Sequence, residues 1–191
     1  MKENTKHNIR FIKIIVTTIF LSSFTILRAQ IVNIGHDKIL INGIQFDSTS
    51  LINDYIKVLG QPSRVVNLAN NIYVFDSLGI YIYENYKDGN RIIELSFDFK
   101  KNRDYDFSPR RRFSSKIFLA DNYNYRVSRH TSYKRLKRMC DSHKNNSLKM
   151  EFGDSELNYG NFSLLFEHNF FRTSTKNFTL DFRVRKNKYI E

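Results

Sequence analysis

The chain has 191 residues, a formal net charge of +12, 41% apolar and 15% aromatic residues, and one cysteine. That apolar share can fill a hydrophobic core and excludes a disordered chain. The single Cys140 excludes an intramolecular disulfide, so the fold must be held by packing and hydrogen bonds.

Chain order begins with Lys2, Lys6 and Arg10 ahead of an apolar run from Ile14 to Leu27, closed by Leu27-Arg28-Ala29-Gln30. This is the three-part layout of a secretory signal peptide, expected over residues 1–29 with cleavage after Ala29. The rival reading is an uncleaved inner-membrane anchor over residues 11–27, against which stand Lys13, several hydroxyl residues and a length short of the about 20 apolar residues a spanning helix needs. No cysteine lies near this site, so a lipid-anchored lipoprotein is excluded. Export to the periplasm or beyond leaves ATP, NAD and nucleic acid behind. The expectation is therefore no cofactor, no nucleic-acid partner, and membrane association only if the first segment stays attached. Removing Lys2, Lys6, Arg10, Lys13 and Arg28 together with Glu3 lowers the net charge to +8.

In the mature chain, Lys38–Ile41 and Ile44–Phe46 flank Asn42-Gly43, the pair that most readily adopts the positive φ angles of a type I′ hairpin. Asp47-Ser48-Thr49-Ser50 offers helix N-caps, and Leu51, Ile52, Tyr55, Ile56 and Leu59 form an apolar stripe at helical spacing, stopped by Gly60 and Pro62. After a polar loop come strands at Ile72–Phe75 and Ile80–Tyr83 and a turn at Lys87-Asp88-Gly89-Asn90. Next, Ile93, Leu95, Phe97 and Phe99 alternate with Glu94, Ser96 and Asp98, the pattern of a sheet with one buried and one wet face.

The second half repeats this plan. Lys116–Leu119 takes the place of the first strand and Ser132–Cys140 that of the helix; Leu148, Met150 and Phe152 alternate, as do Phe178, Leu180, Phe182 and Val184, and Gly160 stands where Gly79 stood. The expected fold is α+β, an antiparallel sheet packed on two helices, built as a degenerate tandem repeat of hairpin, helix and strands. Its units would be residues 30–105 and 113–187, either one continuous domain or two lobes joined near residues 106–112.

Residues 100–138 hold thirteen Lys and Arg against Asp104, Asp106 and Asp121, a local excess of +10. Within them Arg110, Arg111 and Arg112 follow Pro109 in the connection between halves. They are either a solvated loop or an anion site, for which planar guanidinium donors are suited. Lys134, Arg135, Lys137 and Arg138 crowd the second helix, leaving Tyr133, Leu136, Met139 and Cys140 for its apolar side. Arg110, Arg111, Arg112, Lys134, Arg135 and Arg138 are the candidate partner- or anion-binding residues. Cys140 and His143 could share a helical face, but two ligands alone are a poor metal site, and no metal or catalytic set is expected.

Leu59-Gly60-Gln61-Pro62-Ser63-Arg64 and Asp76-Ser77-Leu78-Gly79-Ile80 resemble the motifs of an uncharacterised domain family of exported bacterial proteins, found chiefly in Bacteroidota. The resemblance covers residues 38–99 and implies a fold, not a reaction. In plan the chain is also similar to small envelope modules of the outer-membrane assembly lipoprotein type, although it lacks their lipid-anchor cysteine, and to the secreted β-lactamase inhibitor, which implies that such sheets can bind proteins. The expected function is an exported, non-enzymatic module that binds a protein partner, immunity or inhibitor-like, through the wet sheet face or the Arg110–Arg138 region. The alternative is a binder of anionic lipid or glycan in the cell envelope.

Overall fold

A computed structural model describes residues 30–85, 89–100, 106–119, 125–141, 148–151, 154–169 and 174–182. The segment read as a signal peptide lies outside them, as do Lys87, Asp88, His143, Phe152 and Val184. The chain folds as β1 (Ile31–Ile34), β2 (Ile39–Ile41), β3 (Ile44–Phe46), α1 (Ile52–Leu59), β4 (Arg64–Asn67), β5 (Asn71–Phe75), β6 (Ile80–Asn85), β7 (Arg91–Asp98), β8 (Lys116–Leu119), β9 (Tyr125–Val127), α2 (Tyr133–Asp141), β10 (Leu148–Glu151), β11 (Asp154–Tyr159), β12 (Phe162–His168) and β13 (Thr175–Asp181). This is a mixed α+β fold.

The strands make two sheets rather than the single antiparallel sheet expected. One has five strands in the order β3-β2-β1-β8-β9, the other eight in the order β10-β11-β12-β13-β7-β6-β5-β4. All pairs are antiparallel except β1 and β8, which run parallel with Ile31 beside Lys116 and Ile34 beside Leu119. The physical reason is the path of the chain after β7, which turns around the β5–β6 hairpin before β8 begins, so β8 leaves the plane of the larger sheet. Lys116–Leu119 consequently lies beside β1, not in the position of β2.

Local chemistry explains most element ends. Asn42 (φ 53°) and Gly43 (φ 84°) form the β2–β3 turn. Asp47–Ser50 does not cap α1, because these side chains satisfy their own turn: Asp47 Oδ1 accepts the Thr49 amide at 2.8 Å and hydroxyl at 2.6 Å. The helix starts after Leu51 instead, whose amide donates to Asp54 Oδ2 at 3.2 Å. Gly60 ends it, donating its amide to the Ile56 carbonyl.

One core lies between the sheets. Val32, Ile34, Ile117, Leu119 and Val127 of the smaller sheet meet Ile80, Ile82, Leu95, Phe97, Leu164, Phe166, Phe178 and Leu180 of the larger. The helices add Ile52, Tyr55 and Leu59 from α1 and Leu136, Met139 and Cys140 from α2. Each such aliphatic or aromatic side chain contributes about 1.5–3 kcal/mol on burial. Phe97 and Phe178, paired across the β7–β13 junction, stack with centroids 5.9 Å apart and carry the core across the two halves.

The alternation of β7 holds from Leu95 onward, but at the register shift opposite Tyr83 and Glu84 it is Ile92, not Ile93, that enters the core, and the polar side of the strand is not wet. Ser96 and Asp98 are 1% and 4% exposed. They belong to a cross-strand network in which the Ser96 and Thr179 hydroxyls lie 2.7 Å apart, Thr179 donates to Asn177 Oδ1, and Asn177 Nδ2 donates to Asp98 Oδ1 at 2.6 Å and to the Tyr81 hydroxyl at 3.0 Å. Beside it Phe107 packs on Tyr81 and Tyr83, so the segment after β7 covers part of this face. Burial pushes the Asp98 carboxyl up to about 6, and its Oδ2 has no hydrogen-bond partner.

Two glycine turns hold the sheets together. Gly79 (φ 71°), in the β5–β6 turn, sits so close to the incoming chain that a Cβ would overlap the backbone nitrogen of Phe113. Gly160 (φ 57°), in the β11–β12 turn, is pressed likewise against the backbone of His36, whose carbonyl accepts the Asn161 amide at 2.6 Å.

Replacement of Gly79 by alanine is expected to cost about 3 kcal/mol or more, combining left-handed backbone strain with overlap. Gly43→Ala, with open space around it, should cost about 1–2 kcal/mol from strain alone. Urea unfolding compares the two, and equal costs would refute the close-approach role. A second expectation concerns pH. The folded pKa of Asp98 is raised above the unfolded value of 3.8, so its stabilising protonated form is fully present below pH 3.8 and is lost as pH rises through about 6. The stability difference between the protein and Asp98→Asn should therefore change by up to about 3 kcal/mol over that window, and a flat difference would contradict it.

Candidate functional site

The sequence placed Arg110, Arg111 and Arg112 in a connection between halves, and the structure makes that connection a fastened one. Asp76, at the end of β5, accepts the Arg64 guanidinium at 3.0 and 2.8 Å through its two carboxylate oxygens. Its Oδ1 also accepts the Arg110 amide at 2.8 Å, and its main-chain carbonyl accepts the Arg111 amide at 3.1 Å. Arg64 reaches on to the Ser108 carbonyl at 2.8 Å, and Ser63 Oγ receives the Asp76 amide at 3.0 Å. The Phe113 amide then donates to the Asp98 carbonyl at 2.6 Å, beside Gly79. Ser63, Arg64, Asp76 and Gly79 are all motif residues. Their shared task here is to seat the linker.

The fastened backbone leaves the side chains in water. The Arg110 side chain is 81% exposed while that of Asp76 is 14% exposed, and Arg111 and Arg112 are exposed too. The run is split between two cavities. Arg110 and Arg111, with Leu59, Ser63, Asp76, Ser77 and Leu78, line one of about 460 Å³. Arg112 joins a different set around a second of about 440 Å³: Arg126 from β9, Arg129 and His130 from the turn before α2, the hydroxyl residues Ser114, Ser115 and Ser128, and the rings of Phe99 and Phe113. No acidic side chain lines the second cavity among the described residues.

The turn before α2 is locally ordered. Ser128 Oγ accepts the His130 amide at 3.2 Å, Thr131 Oγ1 accepts the Ser128 amide at 2.9 Å, and the Arg129 carbonyl accepts the Thr175 amide at 3.0 Å. Arg129 Nε donates to His130 Nε2 at 2.9 Å. On α2, Lys134, Arg135, Lys137 and Arg138 are exposed and line neither cavity. Arg135 lies over the Tyr125 ring at 5.4 Å. Thus the six residues singled out from the sequence fall into three places.

Arg126, Arg129 and His130 are not among the candidate residues that the sequence offers. Both arginines sit in the basic stretch, but β9 is three residues long and shows no period, so nothing in the sequence turns them toward Arg112. Cys140 is buried on the inner side of α2, and burial pushes its thiol up to about 11, the behaviour of a core cysteine rather than a nucleophile. Its sequence partner His143 lies outside the described residues. Among the described residues no three His, Cys, Asp or Glu side chains converge as a metal site.

The family model for a domain of unknown function, DUF7738, matches residues 31–132. The chain belongs to this family. The DUF7738 span reaches beyond the resemblance at residues 38–99, runs through the linker and β9, and includes every residue around both cavities while leaving out Lys134, Arg135 and Arg138. No curated protein matches the chain. Among solved structures, a DUF4309 family protein (YjgB) from Bacillus subtilis subsp. subtilis str. 168 matches at 12% identity over 70% of this chain and 78% of that one, with a TM-score of 0.39, too low a likeness to argue from.

Asp76→Asn keeps the size of the side chain and removes the charge that engages Arg64 and the linker. Amide hydrogen exchange at Arg110, Arg111 and Phe113 should lose about 1–3 kcal/mol of protection while core strand β7 is spared at Leu95. Unchanged protection in the linker would show that Asp76 does not hold it.

Proposed function

We propose that the mature chain is an exported, non-enzymatic module that binds an acidic protein partner, immunity or inhibitor-like, through a positive surface built on Arg110, Arg111, Arg112, Lys134, Arg135 and Arg138. The observation that carries this reading is the fastening of Arg110–Arg112: three backbone amides in or beside the run are hydrogen-bonded, at Arg110, Arg111 and Phe113, while all three guanidiniums stand in solvent. A basic segment held in this way loses little backbone entropy on binding, so more of its charge complementarity appears as affinity. The reading moves away from the polar face of the larger sheet, whose centre is internally hydrogen-bonded and partly covered by Phe107. A non-enzymatic role is supported by the engagement of the acid and base groups beside the linker: Asp76 is taken up by Arg64 and Arg110, and His130 Nε2 by Arg129.

Residues 1–29 are read as a cleaved signal peptide, supported by their charge and apolar layout. The two halves are read as a degenerate tandem repeat. Support for this is the recurrence of paired strands, a helix and a four-stranded meander, and a strand order in the larger sheet that is symmetric about the β7–β13 pair.

The local excess of +10 in residues 100–138 favours, second, an anionic lipid or glycan as the bound surface. One experiment separates the two. Capture from the extracytoplasmic fraction, followed by titration of the purified partner, should yield an acidic protein whose affinity falls about 10-fold or more in Arg110→Ala/Arg111→Ala/Arg112→Ala and falls with added salt. A partner held equally by the triple variant would overturn the proposed surface, and salt-sensitive binding to phosphatidylglycerol vesicles with no protein captured would install the second reading.

A further inference from the structure

The cavity shared by Arg112, Arg126 and Arg129 has a composition the protein-docking surface does not need. Three arginines line it from three separate places, the linker, β9 and the turn before α2. Three serines from the two segments that flank the smaller sheet join them, Ser114 and Ser115 before β8 and Ser128 after β9. The side chains of Arg112 and Arg126 form no ion pair or hydrogen bond within the described residues, and the Arg129 guanidinium spends only its Nε–H on His130, keeping its terminal donors. Phe99 and Phe113, both nearly buried and with rings 6.0 Å apart, supply an apolar wall. The backbone around the cavity is set by the Phe113–Asp98 bond and by the Ser128–Thr131 turn.

From this composition we infer that the cavity is a binding site for a phosphate-class dianion, free or carried as a monoester on a small organic body. Guanidinium pairs match the oxygens of a phosphoryl group with parallel N–H donors, and hydroxyl groups complete its hydrogen-bond demand. A carboxylate has too few oxygens and too little charge to use three guanidiniums and three hydroxyls. The volume of about 440 Å³ falls in the range of small-molecule sites and leaves room beside the anion for an organic group against Phe99 and Phe113. This site is separable from the proposed docking surface, to which it contributes Arg112 alone.

Calorimetric titration of the purified chain tests the assignment with inorganic phosphate, phenyl phosphate and acetate, each against sodium chloride at equal ionic strength. Phosphate or phenyl phosphate should bind saturably, one per chain, with affinity lowered about 10-fold or more in Arg126→Ala. Arg126→Lys, which keeps the charge and loses the planar fork, should lie between, and Lys57→Ala on α1 should bind as the unaltered chain does. Phenyl phosphate binding tighter than inorganic phosphate would identify a monoester, and equal binding would identify the free anion. The inference is overturned if no titration saturates, if acetate binds as well as phosphate, or if Arg126→Ala and Lys57→Ala behave alike with circular dichroism showing both folded. Should Arg126→Ala unfold, Arg129→Ala is read in its place by the same criteria.

Discussion

Asp76 is the residue on which the arrangement of this molecule turns. One carboxylate and one carbonyl, four residues before the Ile80 start of β6, meet the Arg64 guanidinium from β4 and two successive amides of the linker. The group is nearly buried, so its charge acts through a medium that screens it less than water does. It would be costly to bury unpaired. Paired as it is, it fixes where the chain leaves the larger sheet and enters the smaller one. Gly79 completes the junction by having no Cβ where the Phe113 backbone passes.

The consequences spread along the linker in both directions. Upstream, Phe107 is laid over Tyr81 and Tyr83 and Pro109 is buried, which closes part of a face that alternation alone would leave open. Downstream, Phe113 enters the core against Phe97 with ring centroids 4.9 Å apart, and β8 is delivered beside β1. Between these anchors the chain has only three residues, Arg110 to Arg112, whose side chains must go outward. The basic run is exposed because both of its flanks are committed to packing.

Much of the fold can be read from residue patterns, and the failures have physical causes. Asn42-Gly43, the stripe of α1 with its Gly60 end and the apolar side of α2 each follow from local rules and appear as those rules require, whereas β7 keeps its alternation only from Leu95 onward and buries its polar side as well. The strands β1, β4, β9 and β11 carry no clear signal: the first three are three or four residues long, too short for a period to declare itself, and β11 opens on the polar residues Asp154, Ser155 and Glu156. Parallel pairing of β1 with β8 joins residues 85 apart in the chain, Ile31 and Lys116, and no local signal encodes it. The motifs at residues 59–64 and 76–80 were visible, but their purpose was not. It emerges only when Ser63, Arg64, Asp76 and Gly79 are seen converging on the linker. Of the candidate site, Arg110–Arg112 was legible as a run, whereas the cavity depends on Arg126 and Arg129 being brought to Arg112 by the pairing of β9 with β8 and by the turn that follows β9.

One chain of cause links these parts: Asp76 seats the linker, and the seated linker brings Arg112 to the edge of a cavity that Asp76 does not line. A double-mutant cycle between Asp76→Asn and Arg112→Ala, read out as affinity for inorganic phosphate, tests that link directly. Asp76→Asn should weaken phosphate binding in the unaltered chain and have little further effect once Arg112 is alanine. Equal losses in both backgrounds, or no loss from Asp76→Asn at all, would contradict it.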